Sequence, residues 1–488
     1  MMKSIVEAVF QNAEKTPDKL CLVDDTRTVT YREYADEIAR MATVFETLGI
    51  KSGSRVVIEA SQTISYLATE LAVQLLKAVF IPLEKGCAPE KIASMAIRAK
   101  ASFILTNADI SLDVDISHKT IAEIAEATIT ASKKNDIDFP EADAVSEILF
   151  STGTTGKEKG IVLTHGNDIA LAENVAYSVN IQEDNVEMIP SPMNHSHGLR
   201  RYYANLWKGA SVVLLGSIMD VRRFFHNMED YGVNSLDLVP AALSVLLRLS
   251  KDNLAKYREV IRYIQFGSAP LMKSDKDWIR RLLPNTNLYN FYGSTESGCI
   301  CCYEFNHTED KENCIGKPTF NAKIFMVDDE KKEISSDAAH TGLLASKGAM
   351  NMLGYLDDPE ETEKVRKDGS IYSNDVAYFD EDGDVILLGR AGDVINIGGK
   401  KVSPEEIEDA AKKMTMIADC ACVPVNDEIK GHVPKLFVKI APGHEFRTAD
   451  IRDWLLEHLE QYKVPAYYEE IDAIPRTSNG KILRRKLK

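Results

Sequence analysis

The fold is decided by a strand–helix alternation that is clearest in residues 211–267, which read SVVLLGSIMDVRRFFHNMEDYGVNSLDLVPAALSVLLRLSKDNLAKYREVIRYIQFG. Short β-rich runs at 211–215, 235–239 and 263–267 alternate with helical patterns at 220–231 and 241–249. This alternation predicts an α/β fold with mostly parallel sheets that helices cover on both faces. Ligands in such folds bind on the loops that follow the carboxyl ends of the strands.

The alternation extends from about residue 5 to residue 388, and the pattern changes near residues 389–392. A chain of 488 residues is too long for one hydrophobic core, so two or more domains are expected. We place a large N-terminal α/β domain of several subdomains at 1–389 and a small α+β domain at 390–488. In the second domain, helices are predicted at 404–413 and 448–461, and strands around 421–425 and 436–440.

The composition is that of an ordinary globular protein, with 44% hydrophobic and 27% charged residues. A net charge of −16 argues against general nucleic-acid binding, which needs a basic surface. No signal peptide is apparent. The most apolar stretch, residues 66–83, contains Glu70 and Lys77 and predicts a buried helix followed by a strand, not a membrane span. We therefore expect a cytoplasmic protein.

The eight cysteines do not form a disulfide framework. Cys299, Cys301, Cys302 and Cys314 are close in sequence but lack paired CxxC spacing. Reduced thiols are therefore favoured over a zinc site in this region.

The glycine-rich stretch STGTTGKEKG occupies residues 151–160, between the apolar run ILF and the strand-like IVLT. Its glycines, hydroxyls and lysines can form an anion cradle in which backbone N–H groups converge on phosphate oxygens. It is not a Walker loop, because Lys157 is followed by Glu158. A surface hairpin rich in turn residues is the alternative.

Further segments follow in order: FGSAPL at 266–271, NFYGSTESG at 290–298, SNDVAYFDEDGDVILLGR at 373–390, AGDVINIGGKKVSPEEIE at 391–408 and PRTSNGKILRRKLK at 475–488. Together with the glycine-rich stretch, they resemble the motifs of the adenylate-forming superfamily of acyl-CoA synthetases, luciferases and peptide-synthetase adenylation domains. The resemblance covers nearly the whole chain. Thr152 and Glu158 stand where the family usually has serine and proline.

The resemblance implies that these segments bind ATP. The implied nucleotide-binding residues are Ser151, Thr152, Gly153, Thr154, Thr155, Gly156, Lys159, Ser268, Ala269, Pro270, Asn290, Phe291, Tyr292, Gly293, Ser294, Asp375 and Arg390. Glu296 and Thr152 would ligate Mg²⁺, and Thr295 would contact the α-phosphate. Asp375 suits the ribose because an ionised carboxylate can accept two hydrogen bonds from a diol. The alternative for Glu296 is an ordinary surface carboxylate. The alternative for Asp375 and Arg390 is a turn carboxylate and a surface ion pair.

The resemblance also implies that the C-terminal domain is mobile. Lys481 would bridge the substrate carboxylate and the α-phosphate as a catalytic residue, although basic C-terminal tails are usually only solvated. Gly392 occupies the hinge position, where aspartate or lysine is usual, and glycine accepts large φ/ψ changes. Gly398, Gly399 and Lys400 would face the pantetheine tunnel after rotation, with an ordinary glycine turn as the alternative.

The segment SPMNHSHGLRRYYANLW at 191–207 resembles the family segment that opens a helix beside the acyl pocket. His195 matches the residue that gates this pocket and is counted among the catalytic residues. A metal-binding pair formed with His197 is the alternative, although no third ligand is apparent.

The resemblance implies an acid pocket lined by His195, His197, Arg201 and Phe291. The last two bear on the substrate. Arg201 lies four residues after His197 and would share its helix face. A buried guanidinium suits an acid with a second anionic group, whereas pairing of Arg200 and Arg201 with protein acids such as Glu229 or Asp230 is the alternative. Phe291 stands where a small residue often leaves the acyl tunnel open, which predicts a small or medium acid.

The predicted reaction is the activation of a carboxylic acid by ATP to acyl-AMP and pyrophosphate, followed by transfer to the thiol of CoA. The alternative acceptor is the phosphopantetheine arm of a separate acyl carrier protein. A homologue that binds nucleotide without turnover is a third interpretation, which the retained Lys481, Glu296 and Asp375 argue against.

Overall fold

The structure is a computed structural model that describes residues 2–152, 158–269, 271–308, 310–397, 400–427, 431–476 and 482–487, with the backbone alone described at Thr152. Its α-helices are α1 (Ile5–Lys15), α2 (Tyr31–Thr47), α3 (Ile64–Leu75), α4 (Pro89–Ala99), α5 (Ile121–Thr130), α6 (His165–Ser178), α7 (Ser196–Lys208), α8 (Val221–Asp230), α9 (Pro240–Ser250), α10 (Lys273–Leu282), α11 (Pro359–Val365), α12 (Pro404–Lys412) and α13 (Thr448–His458). Short 3₁₀ helices lie at Lys251–Tyr257 and Arg484–Lys486.

The β-strands are β1 (Leu20–Val23), β2 (Thr28–Thr30), β3 (Arg55–Glu59), β4 (Val79–Leu83), β5 (Phe103–Thr106), β6 (His118–Thr120), β7 (Val145–Thr152), β8 (Glu158–Thr164), β9 (Val186–Ile189), β10 (Ser211–Leu214), β11 (Ser235–Leu238), β12 (Tyr263–Phe266), β13 (Asn287–Ser294), β14 (Gly298–Glu304), β15 (Cys314–Pro318), β16 (Lys323–Val327), β17 (Glu333–Ile334), β18 (Gly342–Lys347), β19 (Gly354–Tyr355), β20 (Arg366–Lys367), β21 (Ser370–Phe379), β22 (Val385–Arg390), β23 (Ile395–Ile397), β24 (Lys400–Val402), β25 (Ile417–Asp427), β26 (Gly431–Ile440) and β27 (Tyr467–Glu470). They form three sheets.

The first sheet contains the predicted alternation. Strands β1, β10, β9, β11, β12 and β13 are neighbours in this order and run parallel. Helices α7, α8, α9 and α10 connect successive strands from β9 to β13. The strands predicted from the sequence at 211–215, 235–239 and 263–267 are β10, β11 and β12, which confirms the α/β interpretation.

The second sheet has the order β19-β8-β7-β4-β3-β5-β6. Its strands β3 to β7 pair in parallel, whereas β7 and β8 form an antiparallel hairpin. Helix α3 is buried at nearly every position, and all five residues of β4 are buried. Residues 66–83 are therefore a core helix followed by a strand, as predicted.

The segment from β14 to β22 departs from the prediction of mostly parallel sheets. Its strands pair antiparallel. Except for β19, which pairs with β8 in the second sheet, they extend the first sheet, because β15 pairs with both β14 and β22. Among the described residues only α11 interrupts this run of strands. Short connections allow antiparallel pairing, whereas a parallel pair needs a long crossover.

The third sheet belongs to the C-terminal part of the chain and has the order β24-β23-β26-β25, with β27 beside β26. Helices α12 and α13 pack on it around a separate core that includes Ile395, Ile407, Leu436 and Leu455. The predicted helix at 404–413 is α12, and the second predicted helix, at 448–461, ends three residues earlier, at His458. No helix within the described ranges is long and apolar enough to cross a membrane.

Candidate active site

One group of the implied nucleotide-binding residues lies on β13 and just after the carboxyl end of β12. Ser268 and Ala269 directly follow β12, and β13 ends at Ser294. Ser268 has a φ of 72°, in the left-handed region that residues other than glycine seldom adopt. Strained backbone of this kind is concentrated at functional sites. Pro270 lies outside the described residues.

Asn290 lies on β13, beside Phe266 of β12. Its side-chain Oδ1 is buried and has no hydrogen-bond partner in the part of the chain that the structure describes. An amide oxygen left without a donor in this position can accept a hydrogen bond from a ligand amino group.

The turn between β13 and β14 carries Thr295 and Glu296, both half-buried. A Cβ at Gly293 would lie 1.8 Å from the carbonyl oxygen of Gly298, so only glycine allows the two strands to approach here. Gly298 has a φ of 69°, and its Cβ would lie 2.0 Å from Leu171. The glycines are therefore required by the geometry of the turn that presents Glu296.

Glu296 belongs to a chain of contacts that reaches the glycine-rich hairpin. The hydroxyl of Tyr355 donates to Glu296 Oε1 at 2.9 Å. Lys159 Nζ lies 4.7 Å from the centre of the Tyr355 ring and 2.5 Å from Glu361 Oε1. Lys159 and the predicted magnesium ligand Glu296 thus both contact Tyr355, and the Lys159 charge is already paired with the Glu361 carboxylate.

Asp375 lies opposite Arg390 in the β21–β22 ladder, and its Oδ1 is 3.6 Å from Arg390 Nε. The hydroxyl of Tyr292 donates to the other carboxylate oxygen. Burial and the neighbouring Asp375 raise the pKa of Tyr292, so this hydroxyl stays protonated and remains a donor. Asp375, Arg390 and Tyr292 are therefore brought together, as the sequence predicts for residues that bind one nucleotide.

The glycine-rich stretch joins β7 to β8, with Ser151 opposite Lys159 and Thr152 opposite Glu158. β7 and β8 thus pair as neighbours on either side of residues 153–157, and such pairing does not exclude anion binding by the segment between them. Gly153, Thr154, Thr155 and Gly156 lie outside the described residues.

Glu158 departs from the family pattern, and its contacts lie on the side of α4. Its Oε1 is 3.0 Å from Lys91 Nζ, and its main-chain oxygen accepts a hydrogen bond from Arg98 at 2.5 Å. The acidic side chain is therefore balanced by a cation of α4.

The C-terminal residues that the resemblance implies are only partly described. Gly392 lies in the turn after β22, is exposed, and has no atom within 4 Å of a Cβ placed on it. Lys400 Nζ stacks on the Tyr462 ring at 4.2 Å. Arg476 and Ile482 form an antiparallel bridge that closes the segment containing Lys481. Lys481, Gly398 and Gly399 themselves lie outside the described residues.

The implied acid pocket lies at the start of α7, where His195 is the N-cap residue and is exposed. His197 Nε2 lies 2.8 Å from Asp237 Oδ1, in the middle of β11. A Cβ at Gly267 would lie 2.8 Å from the His197 ring, so glycine at this position makes room for the imidazole.

Arg201 is fully buried and pairs with a protein acid, but not with either of those named from the sequence. Its Nε lies 3.4 Å from Asp237 Oδ1, and its Nη1 donates to Cys299 Sγ at 3.2 Å. Its guanidinium carbon lies 4.6 Å from the centre of the Phe291 ring. Arg201 and Phe291 are therefore in contact, and Asp237 supplies the countercharge.

Arg200 also pairs with acids other than those named from the sequence, one on α6 and one on β7. It donates to Asp168 Oδ1 at 2.9 Å and to Glu147. The prediction of Glu229 or Asp230 as partners was wrong: Glu229 accepts from Tyr257, and Asp230 lies 3.0 Å from His226. Both acids are on α8, which neither arginine reaches.

The charges in the acid pocket follow from burial and pairing. Burial lowers the pKa of His197, although Asp237 acts in the opposite direction, so the ring is neutral at pH 7. Burial opposes ionisation of Asp237, but His197 and Arg201 outweigh it and hold the Asp237 pKa below its usual range. Burial raises the pKa of Glu187, on the adjacent strand β9, to about 7.

Sequence reasoning missed Tyr355 and Asp237. The available signal for Asp237 was a carboxylate in the middle of the apolar run SLDLV, since a charge on a buried strand needs a partner. No comparable local signal marked Tyr355, because its role depends on the pairing of β19 with β8.

The family model of AMP-binding enzymes matches residues 9–356, most of the chain. The chain belongs to the AMP-binding enzyme family. A second model, of the C-terminal domain of AMP-binding enzymes, matches residues 406–481. The predicted adenylate-forming superfamily is thereby confirmed.

Relatives of this AMP-binding enzyme are CoA ligases. It is 26% identical to 2-succinylbenzoate–CoA ligase of Bacillus cereus (strain ZK / E33L), over 100% of this chain and 99% of the relative. It is also 26% identical to 4-coumarate–CoA ligase 5 of Oryza sativa subsp. japonica, over 98% of this chain and 93% of the relative.

Solved structures share the fold. o-Succinylbenzoate CoA synthetase of Bacillus subtilis in complex with its acyl-adenylate intermediate superposes with a TM-score of 0.86 at 24% identity, covering 99% of this chain and 97% of that one. ATP-bound MatB of Rhodopseudomonas palustris gives a TM-score of 0.87 at 23% identity, covering 100% and 98%.

Proposed function

We propose that this AMP-binding enzyme is an AMP-forming acid–CoA ligase for a small or medium carboxylic acid. A carboxylate oxygen attacks the α-phosphorus of ATP, and pyrophosphate leaves. The thiol of CoA then attacks the acyl carbon, and AMP leaves. The observation that carries the proposal is the convergence of Asp375, Tyr292 and Arg390 with the Glu296 turn in a chain whose relatives are CoA ligases.

In this proposal the nucleoside lies between the ends of β12 and β13 and the β21–β22 ladder. The unpaired Asn290 Oδ1 accepts from the adenine amino group, and the Asp375 carboxylate accepts from the ribose hydroxyls. Arg390, beside Asp375, fixes the same nucleotide. Ser268, Ala269 and Ser294 supply the backbone around the base.

The residues around Glu296 fit a magnesium ion. Tyr355 occupies one carboxylate oxygen of Glu296, and hard oxygen donors such as the other one suit Mg²⁺. Thr152 is the proposed second ligand. When bound, the ion supplies positive charge that stabilises the phosphoryl oxygens during displacement. The hairpin at 151–160 holds the β- and γ-phosphates, and Thr295 contacts the α-phosphate.

Lys481 provides the cation that bridges the attacking carboxylate and the α-phosphate. The Arg476–Ile482 bridge, with Arg476 Nη2 2.9 Å from Asp419, anchors the ends of the segment that carries it. A domain boundary at 389–390 would let residues 390–488 rotate about Gly392 between adenylation and thiol transfer. Gly398, Gly399 and Lys400 then line the path of the pantetheine thiol.

The acid pocket supports a short substrate. Phe291 is buried and Arg201 lies on its ring, and two large side chains packed together at this implied part of the pocket support a short acid over a long acyl chain. His195, exposed at the N-terminus of α7, stands at the pocket entrance. All eight cysteines are free thiols, which supports a reducing, cytoplasmic location.

The test is acid-dependent ATP–pyrophosphate exchange across acetate, malonate, succinate, benzoate and palmitate. We expect exchange with at least one of the shorter acids, and fast turnover with palmitate alone would contradict the proposal. Mass spectrometry after incubation with CoA, and separately with a phosphopantetheinylated carrier protein, identifies the acceptor. We expect CoA to be the acyl acceptor. Thioester formation on the carrier protein alone would show that the carrier protein, and not CoA, is the acceptor.

A further inference from the structure

Arg201 and Asp237 form a charged pair inside the implied acid pocket, and both side chains are fully buried. The pair is held on several sides. Ser191 donates to Asp237 Oδ2 at 2.6 Å, His197 lies 2.8 Å from Oδ1, and Gly267 leaves room for the histidine. The Asp237 carboxylate is therefore held in one position by Ser191, His197 and Arg201, in the interior of the protein.

The Arg201 guanidinium is incompletely satisfied. Nη1 donates to the thiol of Cys299, and the Phe291 ring covers one face of the group. Nη2 has no hydrogen-bond partner in the described part of the chain, and Nε faces Asp237 without the alignment of a hydrogen bond. A buried N–H donor that lacks an acceptor is destabilising, so an acceptor on the substrate would be bound favourably.

The charge of Arg201 is nevertheless already balanced. Asp237 is ionised and His197 is neutral, so the three side chains have no net charge at pH 7. Glu187, on the neighbouring strand β9, has a pKa of about 7 and adds negative charge where it is ionised. A second carboxylate on the substrate would enter a buried site where the Arg201 charge is already paired with Asp237, and burying an unpaired charge is costly.

We propose that Arg201 determines substrate specificity by donating from Nη2 to a neutral acceptor oxygen, such as a keto or hydroxyl oxygen, on the distal part of the acid. Asp237 excludes a second carboxylate, so of the two alternatives that the sequence left open the inference takes pairing of Arg201 with a protein acid over an anionic distal group. The inference rests on the proposed function, because it concerns the acid that the ligase activates.

The pocket itself is consistent with a distal contact. His195 occupies the N-cap position of α7, and Arg201 lies six residues further along the chain, within the helix. Six residues of α-helix rise about 9 Å between the two backbone positions, and Arg201 is fully buried whereas His195 is exposed, which supports a position of the guanidinium deeper than the pocket entrance. The acceptor oxygen is therefore expected several bonds away from the carboxylate that reacts.

The test compares five-carbon acids that differ at the distal end: pentanoate, 4-oxopentanoate and glutarate. The aryl counterpart uses 4-methylbenzoate, 4-hydroxybenzoate and terephthalate. The measured quantity is kcat/KM for ATP–pyrophosphate exchange and for CoA thioester formation. In at least one set we expect the neutral oxygenated acid to exceed both the hydrocarbon acid and the diacid by about tenfold or more, because a polar site left unpaired discriminates strongly.

Asp237→Asn provides the charge test. It leaves the Arg201 charge unbalanced at nearly the same side-chain volume, so the diacid should gain about tenfold relative to the neutral acid. Ser191→Ala is the matched control, since it removes a hydrogen bond to Asp237 without changing charge, and the ratio should stay within about threefold. ATP binding and thermal unfolding, measured on both variants, show that each is folded.

Wild-type preference for the diacid or the hydrocarbon acid overturns the inference but leaves the proposed function intact. The inference is also overturned if Asp237→Asn is folded and binds ATP but has the same ratio of kcat/KM for the diacid to kcat/KM for the neutral acid as the wild type. No exchange with any acid in either set or in the broader panel would remove the proposed function, and this inference with it.

Discussion

Removing one hydroxyl at Tyr355 tests whether Glu296 is a positioned magnesium ligand. Tyr355→Phe deletes the donor that lies 2.9 Å from Glu296 Oε1 but keeps the ring that contacts Lys159. Burial and Glu296 raise the pKa of Tyr355, so in the native protein the hydroxyl is protonated and donates at any working pH. A hydrogen bond to a charged group contributes about 1.5–3 kcal/mol, and the half-exposed Glu296 favours the lower value.

A loss of about 1.5 kcal/mol corresponds to roughly a tenfold change. We expect Tyr355→Phe to raise the Mg²⁺ concentration needed for half-maximal ATP–pyrophosphate exchange by about this factor, because residues that orient metal ligands influence metal affinity to that extent. Tyr257→Phe is the matched control, since it removes a tyrosine hydroxyl that donates to Glu229 at 2.9 Å on the surface. An unchanged magnesium dependence in folded Tyr355→Phe would refute this role of the hydroxyl.

Three further predictions concern the nucleotide, the hinge and the pH dependence of stability. Asp375→Asn should weaken ATP binding by about ten- to a hundredfold, because a neutral amide accepts less strongly than a carboxylate; an unchanged Kd in calorimetry would contradict the ribose assignment. Gly392→Ala should leave exchange within about twofold, since its Cβ meets open space, whereas Gly392→Pro should slow thioester formation more than exchange; equal effects on both steps would argue against a hinge. Burial lowers the pKa of His165 to about 3 in the folded state, so the unfolded chain binds the proton first and stability is lost as the pH falls from about 6.5 towards 3. His165→Phe should reduce this loss, which urea titrations at pH 7 and pH 5 measure, and an identical loss in the variant would show that other groups cause it.

Much of the fold could be predicted because its signals are local. Strands β10, β11 and β12 read as short apolar runs separated by helical periodicity, and both patterns belong to contiguous residues. The antiparallel pairing from β14 to β22 could not be read in the same way. The order in which strands pair depends on their connections and on the packing of distant segments.

The candidate site likewise has features that local sequence predicts and features that depend on distant segments. Gly293 and Gly298 could be recognised in sequence because a tight turn requires glycine, and the structure shows what a Cβ would strike at each. The partners of Glu158 and Arg201 could not be recognised, because Lys91 and Asp237 are supplied by other elements of the fold.

The sequence by itself therefore determined the family, the α/β class and the order of the predicted nucleotide-binding segments, since each depends on residues that are neighbours along the chain. Only the tertiary structure decided that Tyr355 holds Glu296 and that Asp237 neutralises Arg201. The physical reason is that the charge state and the free donors of a buried side chain depend on what packs against it, and the packing of separate strands and helices sets those neighbours.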